Sequence, residues 1–278
     1  VSNWPILHGG TGLDTIGVST ATTSGTTVTA SATINTKGAY AQLVASTSHS
    51  YEGLFVYVTT STGSILSALI DLSVGAAASE VVLIPNLYFR QGAASGDRHS
   101  ITAFFPMRVP SGVRLSARAQ STTASAALRV SVYGVISNPF VPTGFNRCTD
   151  YGTVTADSGG TGIDTGATAN TKGAYAQLTA STTFPMKALL AAISPNTATA
   201  TVNGIILYDV SIGAAAAEQP VISDWNYKRT ASTNSETGEY GTLIPVDIPA
   251  ATRLAARGQS SNTNVNVRVN DVVVYGFD

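Results

Sequence analysis

The sequence predicts an all-β chain of two tandem β-sandwich domains, jelly-roll-like and produced by an internal duplication. Three observations carry that prediction. The nine residues NTKGAYAQL occur at 35–43 and again at 170–178 without a change. Short runs rich in Val, Ile, Leu, Tyr and Thr alternate apolar with polar residues between clusters of Gly, Ser, Asn and Pro, the period-two pattern of half-buried strands. No window of helical length carries a 3.6-residue apolar stripe with caps.

The identical nonamer is the peak of a longer match. GGTGLDT at 9–15 returns as GGTGIDT at 159–165, and LIDLSVGAAASE at 69–80 as LYDVSIGAAAAE at 207–218. FPMRVPSGVRLSARAQS at 105–121 aligns with IPVDIPAATRLAARGQS at 244–260, and VYG closes both halves at 132–134 and 274–276. The order is kept, so one domain has been duplicated in tandem; two long copies do not make a solenoid. The boundary is expected in SNPFVPTGFNRCTDYG at 137–152, where Pro, Gly and Asn cluster. That gives a first sandwich with an N-terminal leader at 1–140 and a second at 141–278. Runs such as GLFVYVTT, EVVLIP, VRLSARA and LRVSVYGV read as strands, about seven or eight per copy. A jelly roll is the first expectation and an immunoglobulin-like sandwich the second. Cys148 is the only cysteine, so the inter-sheet disulfide of antibody domains is absent. Lys37-Gly38 and Lys172-Gly173 read as a turn whose Gly supplies a positive φ, followed by a core strand beginning at Tyr-Ala-Gln-Leu.

Composition excludes some classes of function. Only 11% of residues are charged, less than half the usual share, and the net charge is -1. Such a surface holds no basic field for nucleic acid. No apolar run approaches the ~20 residues of a membrane-spanning helix, so membrane insertion is not expected. The opening VSNWPILHGG has neither a basic start nor a hydrophobic stretch of signal length. Its Trp4-Pro5-Ile6-Leu7 leader is expected either to peg the protein to a partner or to pack on its own domain.

Candidate chemistry is sparse. GGTGLDTI matches a calcium-binding repeat, but that repeat needs stacked turns sharing each ion, so a Gly-rich hairpin is the better reading and no metal is assigned to Asp14 or Asp164. Asp71 with Glu80 and Asp209 with Glu218 form duplicated carboxylate pairs of the kind used in glycoside hydrolysis. Each copy also repeats an arginine pair, Arg114/Arg118 and Arg253/Arg257, so structural ion pairs are the simpler assignment. His8, His49 and His99 have no ligand spacing, and there is no P-loop, GxGxxG or GxSxG motif. No catalytic residue, cofactor or metal is expected, and the chain is read as a non-enzyme. The copies differ most at NLYFRQGAASGDRHS (86–100) and SDWNYKRTASTNSETGEYG (223–241), both read as long loops suited to recognition. The second concentrates Asp224, Trp225, Asn226, Tyr227, Lys228, Arg229, Glu236 and Tyr240. An aromatic ring amid amides and charges suits a sugar, whose apolar face stacks while its hydroxyls are hydrogen-bonded. Tyr88 and Arg90 of the first loop are the secondary candidates; the competing reading is that Trp225 and Tyr227 anchor their loop to the sandwich.

NTKGAYAQLVAST, DLSVGAAASE, FPMRVPSGVRLSARAQS and the closing VYG resemble duplicated β-domain surface proteins of tailed phages and of gene transfer agents. The resemblance implies a virion surface protein, assembled in a bacterial cytoplasm and released with the particle. It points to a head spike or head fibre that attaches particles to host surface polysaccharide. A capsid decoration protein or a tail adsorption protein is the alternative. Capsid or other virion proteins would be its partners. Virion projections are commonly symmetric, so a homo-oligomer is expected, a trimer first.

Overall fold

A computed structural model describes residues 12–60, 66–91, 100–136, 144–196, 203–229 and 238–278, the side chains of 265 and 266 excepted. The first copy supplies β1 (Leu13–Ile16), β2 (Val18–Ser19), β3 (Ser24–Thr29), β4 (Ala41–Val44), β5 (Tyr51–Thr60), β6 (Leu66–Val74), β7 (Val81–Gln91), β8 (Ser100–Phe105), β9 (Leu115–Ser121) and β10 (Ala127–Ile136). The second supplies β11 (Cys148–Tyr151), β12 (Thr153–Val154), β13 (Gly159–Asp164), β14 (Ala176–Thr179), β15 (Met186–Pro195), β16 (Gly204–Ile212), β17 (Gln219–Arg229), β18 (Glu239–Tyr240), β19 (Ile244–Ile248), β20 (Leu254–Ser260), the single turn α1 (Val265–Arg268) and β21 (Val269–Phe277). No described helix is long and apolar enough to cross a membrane.

In the first copy one sheet runs β3-β10-β5-β8 and the other β4-β9-β6-β7. Counted from β3, the first, eighth, third and sixth strands face the second, seventh, fourth and fifth. That is jelly-roll winding, and the immunoglobulin alternative falls away. The second copy repeats it as β13-β21-β15-β18, with β19 also on β15, and β14-β20-β16-β17. Alternation explains the strands. On β5 Leu54, Val56 and Val58 are buried between the sheets, while Phe55 and Tyr57 turn outward and stay half-buried. Each such core side chain contributes about 1.5–3 kcal/mol on burial.

Pairing register corrects one sequence match. GGTGIDT at 159–165 is not the counterpart of GGTGLDT at 9–15. Thr161 of β13 pairs with Val272 on β21, as Thr26 of β3 pairs with Val130 on β10. Likewise Leu13 of β1 pairs with Val135, as Cys148 of β11 pairs with Phe277. The true counterparts are therefore β3 with β13 and β1 with β11. Between them Gly17 and Gly152 share a left-handed backbone, with φ of 74° and 82°. A threonine hydroxyl bonds each carbonyl, Thr26 to Gly17 at 3.0 Å and Thr161 to Gly152 at 2.9 Å. The apparent match came from low-complexity Gly-Thr composition.

The Lys-Gly turn is corrected as well. The left-handed residues are Asn35 and Asn170, with φ of 55° and 57°. Gly38 and Gly173 are needed because a Cβ would lie 2.4 Å from the Thr29 carbonyl oxygen and 2.5 Å from that of Asp164. The two sandwiches are not separate beads, because the first core continues into Leu190, Val273, Tyr275 and Phe277 of the second copy.

Candidate functional site

The repeated acids and arginines form the same cluster in each copy. Asp71 on β6 accepts from Lys37 Nζ at 2.8 Å, Arg118 Nε at 2.9 Å and the Asn86 backbone N–H at 3.0 Å. Asp209 on β16 accepts from Lys172 at 2.7 Å, Arg257 at 3.0 Å and the Asp224 N–H at 3.1 Å. The guanidinium of Arg118 lies over the Tyr40 ring and that of Arg257 over Tyr175, 4.7 and 4.5 Å from the centroids. Arg114 holds Glu80 at 2.8 Å and Arg253 holds Glu218 at 2.9 Å, each also reaching the Gln of the nonamer. The nonamer is repeated because both copies use it the same way: its Lys and Tyr serve the aspartate cluster, its Gln meets the second arginine, its Asn and Gly shape the turn, and Leu43 and Leu178 enter the core.

The electrostatics agree with a structural role. Burial pushes the Asp209 carboxyl up, but Lys172, the Asp224 N–H and Arg257 together hold it below the ordinary value. Glu80 and Glu218 also sit low, the Arg114 and Arg253 contacts and nearby backbone N–H groups outweighing burial. A carboxyl held ionised by cations is a poor general acid. Asp14 accepts from the hydroxyls of Ser48 and Tyr51, while Asp164 accepts from the Gly166 N–H and is ion-paired with Arg268, so neither is an open ligand. Among the described residues no group of three His, Cys, Asp or Glu could hold a metal ion.

The described candidates for sugar binding lie on strands: Asp224 to Arg229 on β17, Tyr88 and Arg90 on β7 and Tyr240 on β18. Residues 219–229 are the edge strand β17, and 81–91 are the edge strand β7. Alternation turns Asp224, Asn226 and Lys228 outward and buries Tyr227 and Arg229. Polar residues at a strand's end read as a loop in sequence, so 86–91 and 223–229 are strand where a loop is expected, while 92–99 and 230–237 lie outside the described residues. Trp225 is half-buried against Gly241, beside a cleft of about 150 Å3 lined also by Ala191, Ile222, Thr242 and Ile244. Asp224 pairs with Lys172 at 2.7 Å. Tyr88 and Arg90 are buried, 1% and 8% exposed, and lie away from solvent. Tyr240 points its hydroxyl inward to the Tyr88 carbonyl at 2.8 Å. Glu236, His8, His99 and the 1–8 leader lie outside the described residues.

A contact between the copies, not expected from the sequence, joins β7 to β21. Tyr275 on β21 accepts from the Tyr88 N–H and donates to the Asn86 carbonyl, both at 2.8 Å. With Tyr240 on the Tyr88 carbonyl, tyrosine hydroxyls from the second copy cap the outer edge of β7. Tyr88 donates to Asp271 at 2.8 Å, and Asn86 Nδ2 to Asp150 at 3.1 Å. Phe105 packs edge-on against Tyr275, centroids 5.3 Å apart. The signal available in sequence was the repeated VYG, whose Tyr sits on an outer sheet face. A depression of about 430 Å3 on the first copy was not expected either; Tyr57, Arg129 and several threonines line it.

No family model matches the chain, and no curated protein matches it. Among solved structures it is similar to the N-terminal CBM22-1–CBM22-2 tandem domain of Xyn10C from Paenibacillus barcinonensis, at 11% identity and a TM-score of 0.26, covering 98% of this chain and 92% of that one. It is also similar to infectious bursal disease virus, Gx strain, at 11% identity and a TM-score of 0.14, covering 84% and 62%. At these TM-scores neither likeness bears on function.

Proposed function

We propose that this chain is a non-catalytic structural protein on the surface of a phage-like particle, a head spike, fibre or decoration, with domains at 1–140 and 141–278. The observation that supports it best is the use of charge. In a chain with so few ionisable residues, Asp71, Glu80, Asp209 and Glu218 are each tied to Lys or Arg inside the fold. The outer face of the first copy carries the half-buried rings of Phe55, Tyr57, Phe104 and Tyr133, with threonines beside them, a surface suited to contact. The block resemblance to phage and gene-transfer-agent surface proteins agrees with this reading. The test is to separate lysates of the producing bacterium on a density gradient and blot for the chain. It should co-sediment with particles; recovery only in particle-free fractions would overturn the proposal.

A second reading, attachment to host surface polysaccharide, is favoured by Trp225. It is a half-buried aromatic beside an open cleft, with Asp224, Asn226 and Lys228 exposed along the same strand. A lone stacking site of this size gives about millimolar affinity, which many copies on one particle multiply by ~10²–10⁴. Trp225→Ala should then abolish polysaccharide binding while costing about 1–2 kcal/mol of stability, since only part of the ring is buried. Unchanged binding per folded molecule would remove this site from consideration.

A further inference from the structure

The paired strands of the two copies match residue by residue, yet only one pairing of their surfaces is used within the molecule. Leu69 pairs with Tyr88 as Leu207 pairs with Asn226, so Asn226 is the counterpart of Tyr88 and Asp224 of Asn86. Asn86 and Asp224 share the same left-handed kink, with φ of 45° and 52°. In the first copy this kinked edge is capped by Tyr275. In the second, β17 is again the last strand of its sheet, and Asp224, Asn226 and Lys228 are exposed. The shared register turns the Asn226 N–H and the Asp224 carbonyl outward, where no described residue covers them.

The space beneath that edge is open too. Ile84, Leu87 and Phe105 are fully buried where the second copy's aromatic rings close the first sandwich. Their counterparts Ile222, Trp225 and Ile244 are only half-buried and line the 150 Å3 cleft. Gln120 and Asn35, which meet Ser158 across the internal contact, correspond to Gln259 and Asn170, and these are more exposed.

The matching surface also exists, on the first copy. Phe55 pairs with Tyr133 as Leu190 pairs with Tyr275, so Tyr133 is the counterpart of Tyr275. It is half-buried on an outer face with Phe55, Tyr57 and Phe104, and its hydroxyl makes no hydrogen bond to the described residues. Thr23 shares the left-handed backbone of Ser158, and it borders the 430 Å3 depression.

We propose that a second copy of this chain docks its Tyr133 face on the open edge of β17, repeating between molecules the contact that Tyr275 makes on β7 within one. The Tyr133 hydroxyl would take the Asn226 N–H and give to the Asp224 carbonyl. Arg129 stands where Asp271 stands inside, and Asn226, replacing Tyr88, offers it a carbonyl. Lys228, replacing Arg90, approaches Arg129 with like charge, so the contact is weaker than the internal one and needs the high local concentration of an assembly. The contact is heterologous, joining two different faces. It closes into a ring, a trimer among the possible closures, or runs on as a filament.

The inference goes beyond the particle-surface reading and is tested on the purified full chain, so either can fail alone. Sedimentation velocity from micromolar to near-millimolar protein should show association, weakened about tenfold by Tyr133→Phe with no change in Tm. Thr102 on β8 pairs with Tyr57 as Tyr240 pairs with Ala192, so it is the counterpart of Tyr240 and falls beside Asn226 in the proposed contact. Thr102→Cys and Asn226→Cys proteins, mixed with a short bismaleimide, should cross-link to each other and neither to itself. Burial raises the Cys148 thiol, so the native cysteine stays unreactive. A monomer throughout, an Asn226→Cys protein that links to itself, or unaltered association of Tyr133→Phe would overturn the proposal.

Discussion

At the scale of the residue, Asp71 and Asp209 organise the chain. Each collects a lysine, an arginine and a backbone N–H, and each draws the next strand into a left-handed kink. Asp209→Asn should cost about 3 kcal/mol in denaturant unfolding, because Lys172 and Arg257 then lose a buried partner. Acid should act through Asp209 as well, and through Asp14. The Asp14 and Asp209 carboxyls are held below their ordinary 3.8, Asp14 mainly by the Ser48 and Tyr51 hydroxyls. Their contribution to stability is complete above about pH 4 and is lost as pH falls through the lower folded values. Asp271 has the opposite sign. Burial holds its carboxyl above 3.8, so protonation of that group favours the folded state. Unfolding midpoints measured between neutral pH and pH 3 should therefore fall mainly below about pH 4, with a shallower fall in Asp209→Asn. The ion pairs were legible in sequence because both members were duplicated. The tyrosine stacked under each arginine was not, since stacking leaves no spacing to read.

At the scale of the element, strand existence was legible and strand ends were not. The alternation of β5 and β10 is plain in GLFVYVTT and LRVSVYGV. The ends of β7 and β17 carry Asn, Asp, Arg and Lys and resemble a loop, yet these strands are sheet edges whose outer residues face another surface or solvent. The glycine of the nonamer was assigned to the right region for the wrong reason, because close approach to a carbonyl and a positive φ both select Gly. That distinction is testable. Gly38→Ala and Gly173→Ala would each press a methyl onto a backbone oxygen at about the distance of a clash, 2.4 and 2.5 Å. Guanidinium unfolding should show about 1–3 kcal/mol lost in each, the cost of overpacking. No change would mean that the 29–31 and 164–166 backbones yield freely.

At the scale of the whole molecule, the duplication was legible and the contact between copies was not, because its central residue belongs to a three-residue match spent elsewhere on sheet pairing. Tyr275 and Tyr133 separate the two situations that one sequence motif occupies. Tyr275→Phe should cost about 2–5 kcal/mol, since the buried Tyr88 N–H and Asn86 carbonyl both lose their partner. Tyr133→Phe in dilute protein should change stability by less than about 0.5 kcal/mol, as for other surface substitutions. The most direct test of the central claim, that one kind of edge is capped inside the molecule and left open for a neighbour, is amide hydrogen exchange at Tyr88 and Asn226 against protein concentration. The Tyr88 amide should be slow at every concentration, and the Asn226 amide fast when dilute and slower as molecules associate. Equal protection of the two amides in dilute protein, or an Asn226 amide indifferent to concentration, would contradict it.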